Sequence, residues 1–421
     1  MSTFFQHPNL SNWNPEDAAY WEATGRHVAR RNLWISIPAL LLGFSVWFIW
    51  SIVVVQLNHA GYHFTTAQLF TLAAMPGLAG ATLRILYSFT VPIFGGRNWT
   101  VLATGVLLIP TIGMGLALQN PDTSFHTFML LGILCGLGGG AFSSSMSNIS
   151  FFFPKHEQGT ALGLNAGLGN LGVSVAQFLL PLIVAGGVAG LKYAGFIWVA
   201  PIVLVTLLAY FGMDNLPTIK TSIKDQLVIF KRKHFYLTTI LYIESFGSYI
   251  GFCAAFPLLL KMEFPSVNAL HYVFLGPMIG ALIRPFGGWL SDKIDSGAKV
   301  TFTSVSLLIL VVGALLFFLD PAHKSFIGFF IAFMCAFALT GIANGSVFRM
   351  IGVLFPPKEK GPALGFSAAI AAYGAFSIPL CFGYAIKYSG SADLALYSFI
   401  VFYTLTLFLM WGCYLRRGGH Y

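Results

Sequence analysis

Two stretches decide the fold: Phe153-Pro154-Lys155-His156-Glu157-Gln158-Gly159-Thr160-Ala161-Leu162-Gly163, and Phe355-Pro356-Pro357-Lys358-Glu359-Lys360-Gly361-Pro362-Ala363-Leu364-Gly365. They match in order and in the same chain direction, about 200 residues apart, so the chain is an internal parallel repeat. A second pair, Gly80-Ala81-Thr82-Leu83-Arg84 and Gly280-Ala281-Leu282-Ile283-Arg284, recurs at nearly the same offset. Each half therefore carries one copy of a common plan.

Apolar runs fill the space around these repeats. Of 421 residues, 57% are hydrophobic and 9% charged, against about 25% charged in a soluble domain, so the chain cannot clothe itself for water. Runs long enough to cross about 30 Å of hydrocarbon predict helical spans near 34–57, 67–88, 99–118, 126–150, 160–186 and 191–212. The second half repeats the number, near 235–259, 269–290, 299–319, 325–350, 362–387 and 394–415. The fold class expected is an all-α membrane protein of twelve transmembrane helices in two parallel-repeat six-helix halves. A polar segment 1–33 precedes the halves at 34–212 and 235–415. A linker at 213–234 carries Lys220, Lys224, Lys231, Arg232 and Lys233, and a tail follows at 416–421.

Cytoplasmic loops hold the excess of Lys and Arg. With both termini inside, only Lys192, Lys261, Lys324 and Lys387 fall on the far side, and Arg84 and Arg284 lie within spans. This predicts a multi-pass protein with cytoplasmic termini and, from the polar opening residues Pro15, Glu16, Asp17, Arg26, Arg30 and Arg31, no cleavable signal peptide. The formal charge of +9 is spread over short loops, which excludes a nucleic-acid patch. Cys135, Cys253, Cys335, Cys381 and Cys413 sit inside apolar runs, at spacings of neither a disulfide framework nor a metal site. No cofactor, metal or obligate protein partner is expected, and a monomer is. Nor can a nucleophile, base and orienting group be assembled into an enzyme site.

Charges inside a bilayer cost about 2.5–3.5 kcal/mol each on insertion scales, so those present are functional candidates. Three stand out: Arg84, Glu244 and Arg284. The arginines occupy equivalent positions on spans two and eight and should face one another across the pseudo-twofold axis. A guanidinium stays ionised and presents a planar fork of N–H donors, which suits a small planar oxyanion. Pairing with Glu244 is the competing reading, but one carboxylate leaves two guanidinium groups a net positive charge.

Span five carries Gly163-Leu164-Asn165-Ala166-Gly167-Leu168-Gly169-Asn170-Leu171-Gly172, a glycine density suited to close helix contact in lipid. This string resembles the nitrate signature of the nitrate/nitrite porter (NarK-type) family of the major facilitator superfamily. The resemblance runs end to end, through Trp13-Asn14-Pro15-Glu16-Asp17, Arg31-Asn32-Leu33-Trp34-Ile35-Ser36, Val91-Pro92-Ile93-Phe94-Gly95-Gly96-Arg97 and Asn148-Ile149-Ser150-Phe151-Phe152-Phe153-Pro154-Lys155. The loop Gly287-Gly288-Trp289-Leu290-Ser291-Asp292-Lys293 resembles the superfamily's loop motif.

The resemblance implies a secondary transporter of nitrate and nitrite in a bacterial cytoplasmic membrane, exchanging one anion for the other as the halves rock about a midplane site. It implies substrate contacts at Arg84, Arg284, Tyr242, Phe246, Phe142 and Asn170. Gating or signature roles fall on Gly163, Asn165, Gly167, Gly169 and Gly172, and on Gly365 and Gly374 of span eleven. Two features depart from the family pattern. Alanines at 371 and 375 make span eleven poorer in glycine, which leaves open how closely that span packs and slides but does not bear on the anion site. Glu244 has no family counterpart, and it would be the proton carrier if the protein were instead a nitrate/proton symporter. An anion channel or a non-transporting sensor is the remaining alternative.

Overall fold

The computed structural model describes residues 10–184, 187–216 and 227–416. Lys220 and Lys224 of the expected linker, the first nine residues and the last five lie outside the described residues. Among those described there are twelve helices long and apolar enough to span a membrane and no strand. They are α1 (Ala18–Ala60), α2 (Thr66–Tyr87), α3 (Gly96–Ala117), α4 (Phe125–Phe152), α5 (Lys155–Val184), α6 (Tyr193–Gly212), α7 (Lys233–Glu263), α8 (Leu270–Lys293), α9 (Gly297–Leu319), α10 (Phe326–Leu354), α11 (Glu359–Ser389) and α12 (Asp393–Leu415).

Helix starts follow local chemistry. Thr65 and Gln68 form a reciprocal capping box that opens α2, satisfying amide donors that a helix start leaves unpaired. Ser124 and Ser325 cap the repeat-equivalent α4 and α10, accepting from Thr127 N and Gly328 N at 3.2 Å each.

α1 begins earlier than residue 34, because the polar stretch before the apolar run continues the same helix and is held by the rest of its half. Arg31 and Asp214 form an ion pair at 2.7 Å with side chains only 2% and 3% exposed. Asn32 donates to the same carboxylate at 2.8 Å and accepts from Asp214 N at 2.9 Å. These contacts tie α1 to the end of α6. The segment before α1 also docks: the Trp13 indole donates to Phe151 O at 3.0 Å, and Glu16 accepts from Lys155 N at 3.0 Å. Both land on the α4–α5 junction, where the repeated Phe-Pro-Lys string lies. In the second half, Arg349 of α10 holds Asp292 at the end of α8 and Asp295 of the α8–α9 loop at 3.1 and 2.7 Å.

Each half repeats one packing plan, α2 along α4 and α1 along α5, then α8 along α10 and α7 along α11. The halves meet through α1–α7, α2–α11 and α5–α8. At one end the Gln177 amide of α5 donates to Cys253 O of α7 at 2.8 Å, and Phe178 meets Phe274 edge-on at 5.0 Å. These contacts join the halves at this end. At the other end of α5, a Cβ added at Gly163 or Gly167 would meet nothing within 4 Å, and the same holds at Gly365 of α11.

α11 packs closely against its neighbours at both alanines. Gly77 of α2 lies so close to the Ala375 backbone that a Cβ there would reach Phe376 N at 2.6 Å. A Cβ added at Gly247 of α7 would stand 3.0 Å from Ala371 O, and Gly247 abuts the backbone of Gly374. Close approach needs a small residue on only one side of a crossing, and the partner helices supply it.

Candidate functional site

Arg84 sits on α2 where that helix crosses α4. The crossing is tight, since a Cβ at Gly139 would stand 2.9 Å from Gly80 Cα. One turn beyond Gly80, the fully buried Arg84 reaches back so that Nε donates to Gly139 O at 3.0 Å. Its Nη1 approaches Ala368 O of α11, in the other half, at 3.4 Å, and Nη2 has no partner among the described residues. Aromatic rings surround the guanidinium carbon: Phe142 at 4.7 Å, Trp47 at 5.0 Å, Phe246 at 5.4 Å and Phe44 at 5.7 Å. A ring face is electron-rich and offsets part of the cost of burying a cation, by about 2 kcal/mol where water is excluded.

Arg284 enters from α8, which breaks at Ile283 and restarts at Arg284 with Pro285 in the first turn. Proline is suited to that place because it lacks the amide donor that the first turn leaves unused. The guanidinium carbon lies 4.5 Å from the Tyr249 ring and 5.4 Å from Phe246, and neither Nε nor Nη2 has a partner. Phe246 thus lies equally far from both cations. It belongs to a π-helical turn, Ile243–Gly247, within α7; the extra residue of such a turn re-aims side chains and often marks a functional position.

The surroundings of the two arginines are related by the repeat. Trp47 donates from Nε1 to Pro76 O at 2.7 Å, and Tyr249 from its hydroxyl to Pro277 O at 3.0 Å. Each ring is thereby pinned beneath its own arginine. Phe44 and Phe246 stand one turn earlier on α1 and α7. Sequence reading named Phe246 but missed Phe44, Trp47 and Tyr249. The available signal was the repeat itself, since Phe44-Ser45-Val46-Trp47 aligns with Phe246-Gly247-Ser248-Tyr249 at the offset of Gly163 and Gly365.

Tyr242 and Phe246 share a helix face, their rings 5.5 Å apart, and the Tyr242 hydroxyl lies beside the Asn344 side chain within reach of both arginine charges. The structure therefore gathers Arg84, Arg284, Phe142, Tyr242 and Phe246. Glu244 does not join them. It is fully buried, both carboxyl oxygens lack a hydrogen-bond partner, and it lies near Tyr403 of α12. No carboxylate pairs with Arg84 or Arg284 among the described residues.

Asn170 is placed on α5, where one amide N–H donates to Ala166 O of its own helix at 2.8 Å and Oδ1 has no partner. No described contact joins it to the arginines. Other signature residues serve packing: Asn165 donates to Ser145 at 2.8 Å, and Ser145 bonds Ser36 at 2.8 Å. A Cβ at Gly169 would meet Leu40 at 2.6 Å, and Gly172 abuts the Leu41 carbonyl.

Comparison with known proteins agrees with this architecture. The Major Facilitator Superfamily description matches residues 35–348. The nitrate/nitrite transporter NarU of Escherichia coli K12 is 44% identical, covering 97% of this chain and 96% of that one. A protein named as the probable nitrate/nitrite antiporter NarK2 of Thermus thermophilus is 37% identical, covering 97% of each. Among solved structures, a D-xylose-proton symporter superposes with a TM-score of 0.71 at 15% identity over 91% of this chain and 97% of that one. A bacterial homologue of the lysosomal transporter Spinster gives 0.68 at 16% identity over 90% and 96%. At those identities the likeness speaks for the fold alone.

Proposed function

The chain belongs to the nitrate/nitrite porter (NarK-type) family of the major facilitator superfamily, a family of transporters and not of enzymes, and on that premise we propose that it exchanges nitrate for nitrite across a bacterial cytoplasmic membrane. The observation that carries this reading is the pair of arginines, the buried Arg84 and the half-buried Arg284, one from each half, with Phe246 between them and no carboxylate neutralising either among the described residues. Two such cations cost too much to leave bare in low dielectric. An anion between the forks supplies the missing charge, and Phe142 and Phe246 offer faces for a planar ion. Tyr242 and the remaining N–H of Asn170 add donors.

The exchange follows from the same energetics. Moving two uncompensated charges through the closed intermediate is costly, so the halves, 34–212 and 235–415, reorient only with an anion bound. The contacts between the halves at Gln177 and Phe178 favour alternating access over a continuous channel. The open face of Gly163, Gly167 and Gly365 is the side from which the anion enters this state. α1 starts and α12 ends on that side, which the basic-residue distribution makes cytoplasmic, and the transporter works as a monomer.

A second reading has one observation in its favour: Glu244, buried and unpartnered, could carry a proton in symport. Its place beside α12, away from both arginines, argues for exchange. Proteoliposomes loaded with nitrite or left empty, with nitrate uptake followed across a varied pH gradient, separate the two. Exchange requires the internal anion and is indifferent to the gradient; uptake into empty vesicles driven by a pH gradient overturns it.

A further inference from the structure

The two arginines are equivalent by repeat, but their flanks are not. Phe142 of α4, against Arg84, has Asn344 of α10 as its counterpart at the offset of Gly163 and Gly365, and Leu40 of α1 has Tyr242 of α7. The Arg284 side of the site therefore carries two polar groups where the Arg84 side carries two apolar ones. Asn344 is 3% exposed and its amide nitrogen makes no hydrogen bond among the described residues. It stands on the turn of α10 that crosses α8 at the second arginine, since the adjacent Gly345 abuts the Arg284 carbonyl. A buried amide donor is rarely left unused, because its lost hydration goes uncompensated.

Resting on the anion-site reading above, we infer that Asn344 is a specificity-determining residue. Its amide N–H donates to the oxygen of a planar oxyanion that the two guanidinium forks leave unserved, and Tyr242 beside it orients the amide. The unpartnered atoms of the two arginines and of Asn344, namely Arg84 Nη2, Arg284 Nε and Nη2 and Asn344 Nδ2, are all donors. Such a group of donors fits an anion whose oxygens are all acceptors. Nitrate offers three oxygens and nitrite two, so the third donor matters more to nitrate.

The test measures KM and kcat for nitrate and for nitrite exchange with the full chain in proteoliposomes, for wild type, Asn344→Leu, Asn344→Ser and Arg284→Lys. Leucine keeps the approximate shape and removes the donor; serine restores one. Asn344→Leu is expected to raise the nitrate KM about tenfold and the nitrite KM clearly less, with kcat nearly unchanged, and Asn344→Ser to recover much of the loss. An equal rise for both anions, or no rise in either variant, overturns the role of Asn344. Arg284→Lys distinguishes the levels: if it abolishes exchange while Asn344→Leu behaves as wild type, the anion site stands and Asn344 falls. If Arg284→Lys itself keeps wild-type KM, the site reading falls with it.

Discussion

The guanidinium carbon of Arg84 lies 5.4 Å from the ring centroid of Phe246, a residue of the opposite half, and that ring is as far from Arg284. A cation of the first half and an aromatic of the second are thereby joined at the centre of the molecule. In the exchange proposed above, rocking of the halves would rearrange this contact and so couple occupancy of the site to the position of the helices.

Replacing Arg84 or Arg284 by Lys keeps the charge and removes the fork. Nitrate exchange should be lost in both variants while purified yield and thermal stability stay near wild type, because a lysine presents a point charge to a planar oxyanion. Exchange assays on the purified variants, with nitrate KM near wild type, would remove these residues from the site.

Phe246→Leu keeps bulk but withdraws the π face shared by both cations. The expected result is a five- to thirtyfold weaker nitrate affinity, corresponding to about 1–2 kcal/mol for cation–π contacts in a desolvated site. Equilibrium binding by calorimetry checks it, and an unchanged Kd contradicts it.

Asn170→Ala should impair transport more than Ser147→Ala. The first removes an amide with an unused N–H on the signature helix. Equal and small effects would confine Asn170 to packing.

Glu244→Gln preserves shape and removes titration. Nitrate/nitrite exchange should survive with little change in pH dependence. If uptake driven by a pH gradient is lost while nitrate-for-nitrate counterflow is retained, Glu244 is a proton carrier and exchange is the wrong mechanism.

Two glycines separate packing from motion. Gly374 abuts the Gly247 backbone, so Gly374→Val should lower stability by about 1–3 kcal/mol, as overpacking does. Gly163, whose added Cβ meets no atom within 4 Å, should tolerate alanine without loss of melting temperature. Asp214→Ala, which removes the ion-pair partner of the buried Arg31, should cost about 3–5 kcal/mol. Melting curves in detergent read all three, and a Gly163→Ala variant as unstable as Gly374→Val would contradict the open face.

The sequence by itself determined the twelve spans, the two-half repeat and the pair Arg84 and Arg284. Hydropathy and intramembrane charge are properties of short segments, and a parallel repeat carries each position of one half onto the other. What surrounds the arginines was decided by tertiary structure. Phe44, Trp47 and Tyr249 were three more aromatics in a chain with 41 Phe until the α1 and α7 crossings set them beneath the guanidinium groups. The π turn at Ile243–Gly247 set the phase of α7, placing Phe246 on the site and Glu244 beside α12. The tightness of α11 was likewise illegible in its own residues, because Gly77 and Gly247 of neighbouring helices supply the room. A side chain's type is written locally, but its partners depend on where separate helices cross, and those crossings are settled by packing between segments far apart in the chain.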